Sequence, residues 1–430
     1  MRKVLLAGVP QSPNLGDGLI AHTINQLISM QGKHEVVHFD LLHGLWEDEQ
    51  MHQPLAAVSG GSAAGAFAAA AVKPAAQARL NEAGTRKKMT PDALRRLKAY
   101  WLHRRKDPVM NEQLRRAVSE ADAVYIGGGH LLIDTYWTFP LAVRRVAMEA
   151  KRQGKPLHLL LVGARGPWSR QAQWWLLEVC RIAATIAVRD EDSKKFLLQL
   201  DPKLASKTVA LADPALYTPE AFNLAIEPEG PAEIELSPAE RVMASGTGAV
   251  RQRVIGLGIM DPNEMNRHCE HRWEREDCAQ WWSDAAQAIV SSGSTVRIFT
   301  NGAGTDNAFV EQYVKPLCKG NPAIELMPYP ATVHQLVNSI AGCDAVIAQR
   351  LHACMPALSM NKPTYGVIWD KKLESIFTDI GLGSHLIDFR VPAEQAVLAA
   401  ATTISRPEAY VKAMKRKKQE LLEHMGRILP

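Results

Sequence analysis

Arg350, Leu351 and His352, followed by the pair Lys371-Lys372, are the densest grouping in this chain of side chains able to do chemistry. A guanidinium grips a carboxylate or phosphate through two parallel hydrogen bonds, a lysine adds a mobile point charge, and an imidazole moves a proton near neutral pH. Such a set suits the binding and protonation of an anionic substrate. A purely structural ion-pair cluster is the competing account.

Three glycine-bearing segments could complete a site. Asn14-Leu15-Gly16-Asp17 would open a helix whose first N–H groups attract an anion or a hydroxyl-rich ligand, or Asn14 and Asp17 would simply cap it. It lacks the spacing of a dinucleotide fingerprint. Gly127-Gly128-Gly129-His130 lets backbone approach a ligand or a packed neighbour closely, and Gly163-Ala164-Arg165-Gly166-Pro167 presents a permanently charged guanidinium on a turn. His268-Cys269-Glu270-His271 places two histidines at helical spacing. No third ligand accompanies them and Arg267, Arg272 and Arg275 oppose a cation, so no metal is expected, while a substrate contact from this loop stays open.

Each of these segments follows a run of Val, Ile, Leu and Ala, the pattern of a buried strand. Such runs occur at residues 4–9, 35–40, 123–129, 157–163, 185–190 and 208–213, and again at 254–260, 295–301, 323–329, 345–350 and 363–368, with amphipathic helical patterns between many of them. Apolar strands alternating with helices predict parallel sheets covered on both faces. The expectation is an α/β chain with two Rossmann-like, doubly wound domains facing a cleft, a GT-B-like architecture, with chemistry beyond the carboxyl ends of the strands.

The boundaries follow from composition. Residues 1–215 form the first domain, interrupted at about 56–116 by an Ala/Gly-rich and then basic insertion. Residues 216–250, rich in Pro, Glu, Ala, Gly and Ser, are a linker, 251–391 are the second domain, and 392–430 are a helical segment expected to dock back across both.

With 430 residues, 47% of them hydrophobic and 22% charged, the chain is long enough for two or three cores, and wholesale disorder or a polytopic membrane protein is excluded. The net charge of +5 is too mild for a nucleic-acid binder. Its distribution is uneven: Lys73 to Arg116 holds 13 basic and four acidic residues, more than the whole surplus. Six cysteines without a Cys-x-x-Cys pair argue against a disulfide framework and for a cytoplasmic protein. Neither a signal peptide nor a membrane span is expected.

These residues carry a resemblance. Asn14 to Asp17, the strand ending in three glycines, the turn at Arg165, Ala187-Val188-Arg189-Asp190 with Ser193, Ala212-Asp213-Pro214, and above all DAVIAQRLHACMPALSMNKPTYGVIWDKKL resemble the polysaccharide pyruvyl transferase family, in order from residue 1 to about 385. The insertion, Gln349 and Cys354 depart from the pattern. The resemblance implies transfer of a pyruvyl group from phosphoenolpyruvate to two hydroxyls of a sugar, forming a ketal and releasing phosphate, with no cofactor. It implies a donor pocket of Arg350, Lys371 and Arg165, with His352 as general acid. Asn14 and Asp17, from the first domain, would bind or deprotonate the acceptor, and the loop of Gly127, Gly128 and Gly129 would line the site. A glycan acceptor, lipid-linked in one form, and peripheral contact of the basic insertion with an anionic membrane at the cytoplasmic face follow as expectations. The competing readings are a GT-B glycosyltransferase with a nucleotide-sugar donor and a catalytically silent glycan-binding homologue.

Overall fold

The structure, a computed structural model, describes residues 2–46, 107–135, 137–224, 226, 252–266, 272–402 and 408–429. Its first sheet holds β1 (Arg2–Gly8), β2 (His34–Asp40), β3 (Gly44–Trp46), β4 (Ala123–Gly127), β5 (Leu157–Val162), β6 (Thr185–Val188) and β7 (Thr208–Ala210), in the order β3-β2-β1-β4-β5-β6-β7. Every pairing is parallel except that of β2 with β3. Apolar residues run through β4 and β5 without alternation because both faces are covered, and every residue of these strands is buried. Leu6 and Tyr125 share a core with Ile20 and Ile24 of α1 (Leu15–Ser29). Leu5 and Val124 share another with α2 (Asp107–Glu120), α3 (Thr138–Arg152) and α4 (Arg170–Ile182). The helix α5 (Glu191–Leu200) follows β6.

The second sheet is parallel throughout, with β8 (Val254–Gly258), β9 (Thr295–Phe299), β10 (Ile324–Leu326), β11 (Ala345–Ala348), β12 (Thr364–Ile368) and β13 (Leu386–Asp388) in the order β10-β9-β8-β11-β12-β13. Its longer helices are α6 (Arg275–Ser291), α7 (Val333–Ala341), α8 (Leu351–Ser359), α9 (Lys371–Asp379) and α10 (Ala393–Thr402), and α11 (Glu408–Ile428) follows them. The strand order reverses between β1 and β4 in one sheet and between β8 and β11 in the other. Those switch points open the crevices where such sheets bind ligands.

One core crosses the seam. Leu19 and Ile24 of α1, Leu336 of α7, Ala353 and Met355 of α8, and Met414, Leu421 and Met425 of α11 belong to a single buried cluster. The helix α11 is also bonded to both sides: Tyr125 Oη donates to the Ile428 carbonyl at 2.6 Å, Tyr217 Oη to that of Lys418 at 2.7 Å and Gln31 Nε2 to that of Leu422 at 2.9 Å, while Tyr410 Oη donates to Leu358 O at 2.7 Å. It therefore sets the spacing of the two sheets.

Two boundaries differ from the sequence reading. Residues 107–116, assigned there to the insertion, lie in α2, whose Met110, Leu114, Ala117 and Val118 are core residues, and whose Arg115 and Arg116 pair with Glu112. The basic residues from Lys73 to Lys106 lie outside the described residues. The linker also begins later than residue 216, because Leu216, Tyr217 and Phe222 are buried in the core.

Candidate active site

β6 runs into Arg189, and the segment after β7 reaches Asp213, which caps the turn Pro214–Tyr217 by accepting the Ala215 N–H. Both side chains are almost wholly buried. Arg189 Nη1 donates to Asp213 Oδ2 at 3.1 Å, and Arg189 Nη2 donates to His130 Nδ1 at 3.0 Å. From the second domain, His352 Nε2 lies 3.4 Å from both Asp213 Oδ2 and Arg189 Nη1. Four residues from four segments and two domains thus meet at the seam.

The electrostatics follow from burial and composition. Burial pushes His130 well below the usual imidazole range, and the nearby charges of Lys372, Arg189 and Arg165 push the same way, so this ring is neutral and accepts the Arg189 hydrogen bond. Burial by itself would raise the Asp213 carboxyl. The combined attraction of His352, Arg189 and Lys372 outweighs it and holds Asp213 well below the usual carboxylate range. Burial, reinforced by Arg189, pushes the Lys372 amine down to about 7, against the pull of Asp190, Asp213 and Asp370.

The RLH motif splits in two. His352 faces the first domain, and it packs on the N-terminal turn of α1: a Cβ added at Gly16 would stand 2.7 Å from both His352 Cβ and Nδ1. Only glycine lets the imidazole come so near. Arg350 turns into its own domain, where Nε and Nη2 donate to the two oxygens of Asp306 at 2.6 and 2.9 Å. Removing one partner of a buried pair of this kind costs about 3–5 kcal/mol.

The remaining candidates fall as follows. Lys371 is exposed and Lys372 sits among the cleft charges, because Asp370 caps α9 by accepting the Leu373 N–H and so turns the second lysine inward. Arg165 stands at the cleft, with Nη1 3.9 Å from Asp370 Oδ2 across the seam. The opening turn of α1 is already satisfied: Leu15 N donates to Asn301 O, Gly16 N to Asn14 Oδ1 and Asp17 N to Asn14 O. Asn14 is therefore a helix cap, and these three N–H groups are not free for a ligand. Asp17 borders a cavity of about 10 Å³, the size of one water, with Gly8, Gly127 and Gly128. Gly127 and Gly128 press on Leu160 O and Ile20, so they serve packing, whereas a Cβ at Gly129 would lie 3.4 Å from Asp17 Oδ1. Residues 267–271, with His268 and His271, lie outside the described residues.

Arg189 and Asp213 were absent from the sequence candidates that rested on residue chemistry. Their signal was position: each stands just past a strand, like Arg165 and Arg350.

The sequence profile described as polysaccharide pyruvyl transferase matches residues 14–371. The chain belongs to the polysaccharide pyruvyl transferase family. In this polysaccharide pyruvyl transferase the matched span contains both walls of the cleft, including His130, Arg189, Asp213, Arg350 and His352. By sequence the chain matches no curated protein. Among solved structures it is similar to UDP-GlcNAc 2-epimerase from Methanocaldococcus jannaschii, with TM-score 0.53 at 10% identity over 98% of this chain and 100% of that one. A UDP-N-acetylglucosamine 2-epimerase gives TM-score 0.50 at 14% identity over 100% and 97%. At such identities the likeness concerns the fold, which is GT-B-like α/β. Among the described residues no helix is long and apolar enough to cross a membrane, and no group of three metal-ligating side chains occurs.

Proposed function

We propose that this transferase uses phosphoenolpyruvate as donor and closes a pyruvate ketal on two hydroxyls of a sugar, in a polysaccharide or its lipid-linked precursor. The observation that carries the reading is the cleft itself, where Arg189 and Lys372 gather around a buried His352–Asp213 contact and the charge of Arg165 is felt at His130. A substrate with a carboxylate at one end and a phosphate at the other supplies the negative charge this arrangement lacks.

His352 donates a proton to the methylene carbon of the donor, forming the new C–H bond, and positive charge develops on the adjacent carbon. A sugar hydroxyl attacks that carbon and loses its proton, with Asp17 as base. The carbon–oxygen bond to phosphate then breaks, and the second hydroxyl closes the ketal. Asp17 passes the first hydroxyl's proton to the departing phosphate, and the second hydroxyl's proton restores His352, so both groups end as they began. Asp213, ionised and 3.4 Å from Nε2, orients the His352 ring for the first step. The scheme asks for no metal and no cofactor.

We place the reaction in exopolysaccharide biosynthesis at the cytoplasmic membrane face, with the basic stretch from Lys73 to Lys106 in peripheral contact with anionic lipid. Phosphate release from phosphoenolpyruvate, measured with and without acceptor glycans, tests the reaction. Acceptor-dependent release, with thermal protection by phosphoenolpyruvate and none by a nucleoside diphosphate, supports it. The reverse protection pattern would identify a nucleotide-sugar glycosyltransferase.

A further inference from the structure

The turn after β9, from Thr300 to Ala303, and the first turn of the short helix Gly304–Phe309, which carries Asp306, have no part in the scheme above, yet together they govern one of the cleft arginines. Asp306 is fully buried and takes both Nε and Nη2 of Arg350. Its Oδ1 also accepts the Asp261 N–H at 3.1 Å, and Asp261 in turn accepts from Arg275 Nε at 3.1 Å and Nη2 at 2.5 Å. One edge of the Arg350 guanidinium is thereby fixed, and Nη1 stays outside the pair. Asn301, in the turn before the helix, is 2% exposed. Its main-chain carbonyl accepts the Leu15 N–H of α1 at 3.1 Å, which places it at the seam. Its side-chain Nδ2 has no partner among the described residues. A buried donor without an acceptor is costly and calls for one. The turn is braced for such a role: Thr300 Oγ1 donates to Asn307 Oδ1 at 2.5 Å and accepts the Gly302 N–H at 3.2 Å.

We propose that this turn and the helix start after it form a substrate-positioning element, in which Asp306 aims the free edge of Arg350 and the Asn301 amide donates to an oxyanion of the same ligand. The proposal rests on the pyruvyl-transfer reading, which makes the ligand the carboxylate or phosphate end of phosphoenolpyruvate. Asp306 is a positioning residue, since it acts through Arg350.

The test compares Asn301→Ala and Asp306→Asn with the wild-type full chain. It measures equilibrium binding of phosphoenolpyruvate and of inorganic phosphate, and the KM for donor and for acceptor in the phosphate-release assay. Both variants should weaken donor binding about tenfold or more, with a smaller fall in kcat and an unchanged acceptor KM. Parallel loss of inorganic phosphate binding assigns the turn to the phosphate end, and retained phosphate binding assigns it to the carboxylate. Should Asp306→Asn fold poorly, Asn301→Ala decides, because it leaves the Arg350 pair intact. Variants with lower thermal midpoints but wild-type donor KM would overturn the proposal and leave the turn a structural brace. A wild-type chain that binds no phosphoenolpyruvate would instead bring down the reaction itself, before any variant is compared.

Discussion

Arg189 and Arg350 stand in equivalent places, just past the ends of β6 and β11, and each pairs with a buried aspartate. Their partners make them different. Arg350 commits two donors to one carboxylate of its own domain, so it is rigid and its charge is largely compensated. Arg189 divides its donors between Asp213 and His130 and lies beside His352 of the other domain, while its Nε stays buried without a partner among the described residues. The strand end determines where a charge stands. The surrounding partners determine whether it binds as a fixed edge or belongs to a network through which a proton's position is felt.

The largest effect expected from this contrast is at His352, which belongs to the Arg189 network. His352→Ala should lower phosphate release on the order of a thousandfold while donor affinity stays within a few-fold, because a general acid is used in the transition state. Near-normal release would place the acid elsewhere and dissolve the comparison. The two arginines are separated next by Arg189→Lys and Arg350→Lys, which keep the charge and remove the fork. Arg350→Lys should raise donor KM by roughly tenfold to a hundredfold with a smaller change in kcat, from the charged hydrogen bonds lost. Arg189→Lys should fall mainly on kcat. Identical kinetic profiles would show that the two sites do one job.

A smaller effect is expected at Gly16, whose added methyl group must displace His352. Gly16→Ala should cut kcat about tenfold with donor binding intact, an estimate that follows from misplacing a reacting group by a fraction of an ångström. Unchanged turnover would mean that the seam yields easily there. The smallest is a pH effect at Lys372. Its amine, pushed down to about 7, is charged below that pH and neutral above it, so kcat/KM for the donor should decline as pH rises through 7. Lys372→Met should have low, flat values across the same range, and a wild-type decline that survives the substitution belongs to another group.

Much of the fold was legible because periodicity is local. Unbroken apolar runs between amphipathic stretches placed most of the strands, and the reading missed mainly β3 and β13, whose three residues carry no such run around them. The helix α1 begins at Leu15 with Asn14 as its cap, one of the two roles the sequence left open for that segment. Within the site, Arg350, His352 and Arg165 were legible as charged residues at strand ends. The choice between Lys371 and Lys372 was not, because two consecutive helical residues point about 100° apart and only the Asp370 cap determines which faces the cleft.

The sequence by itself determined two doubly wound sheets, the strand ends that carry the reactive side chains, and a glycine at position 16. Tertiary structure alone decided that Arg189 and His352, 163 residues apart, share Asp213, that Arg350 is tied to Asp306, and that the first N–H groups of α1 are already bonded. The reason is that local spacing governs only neighbours along one element. The meeting of two strand ends across a seam depends on the core shared by α1, α7, α8 and α11, whose packing brings the walls of the cleft to hydrogen-bonding distance.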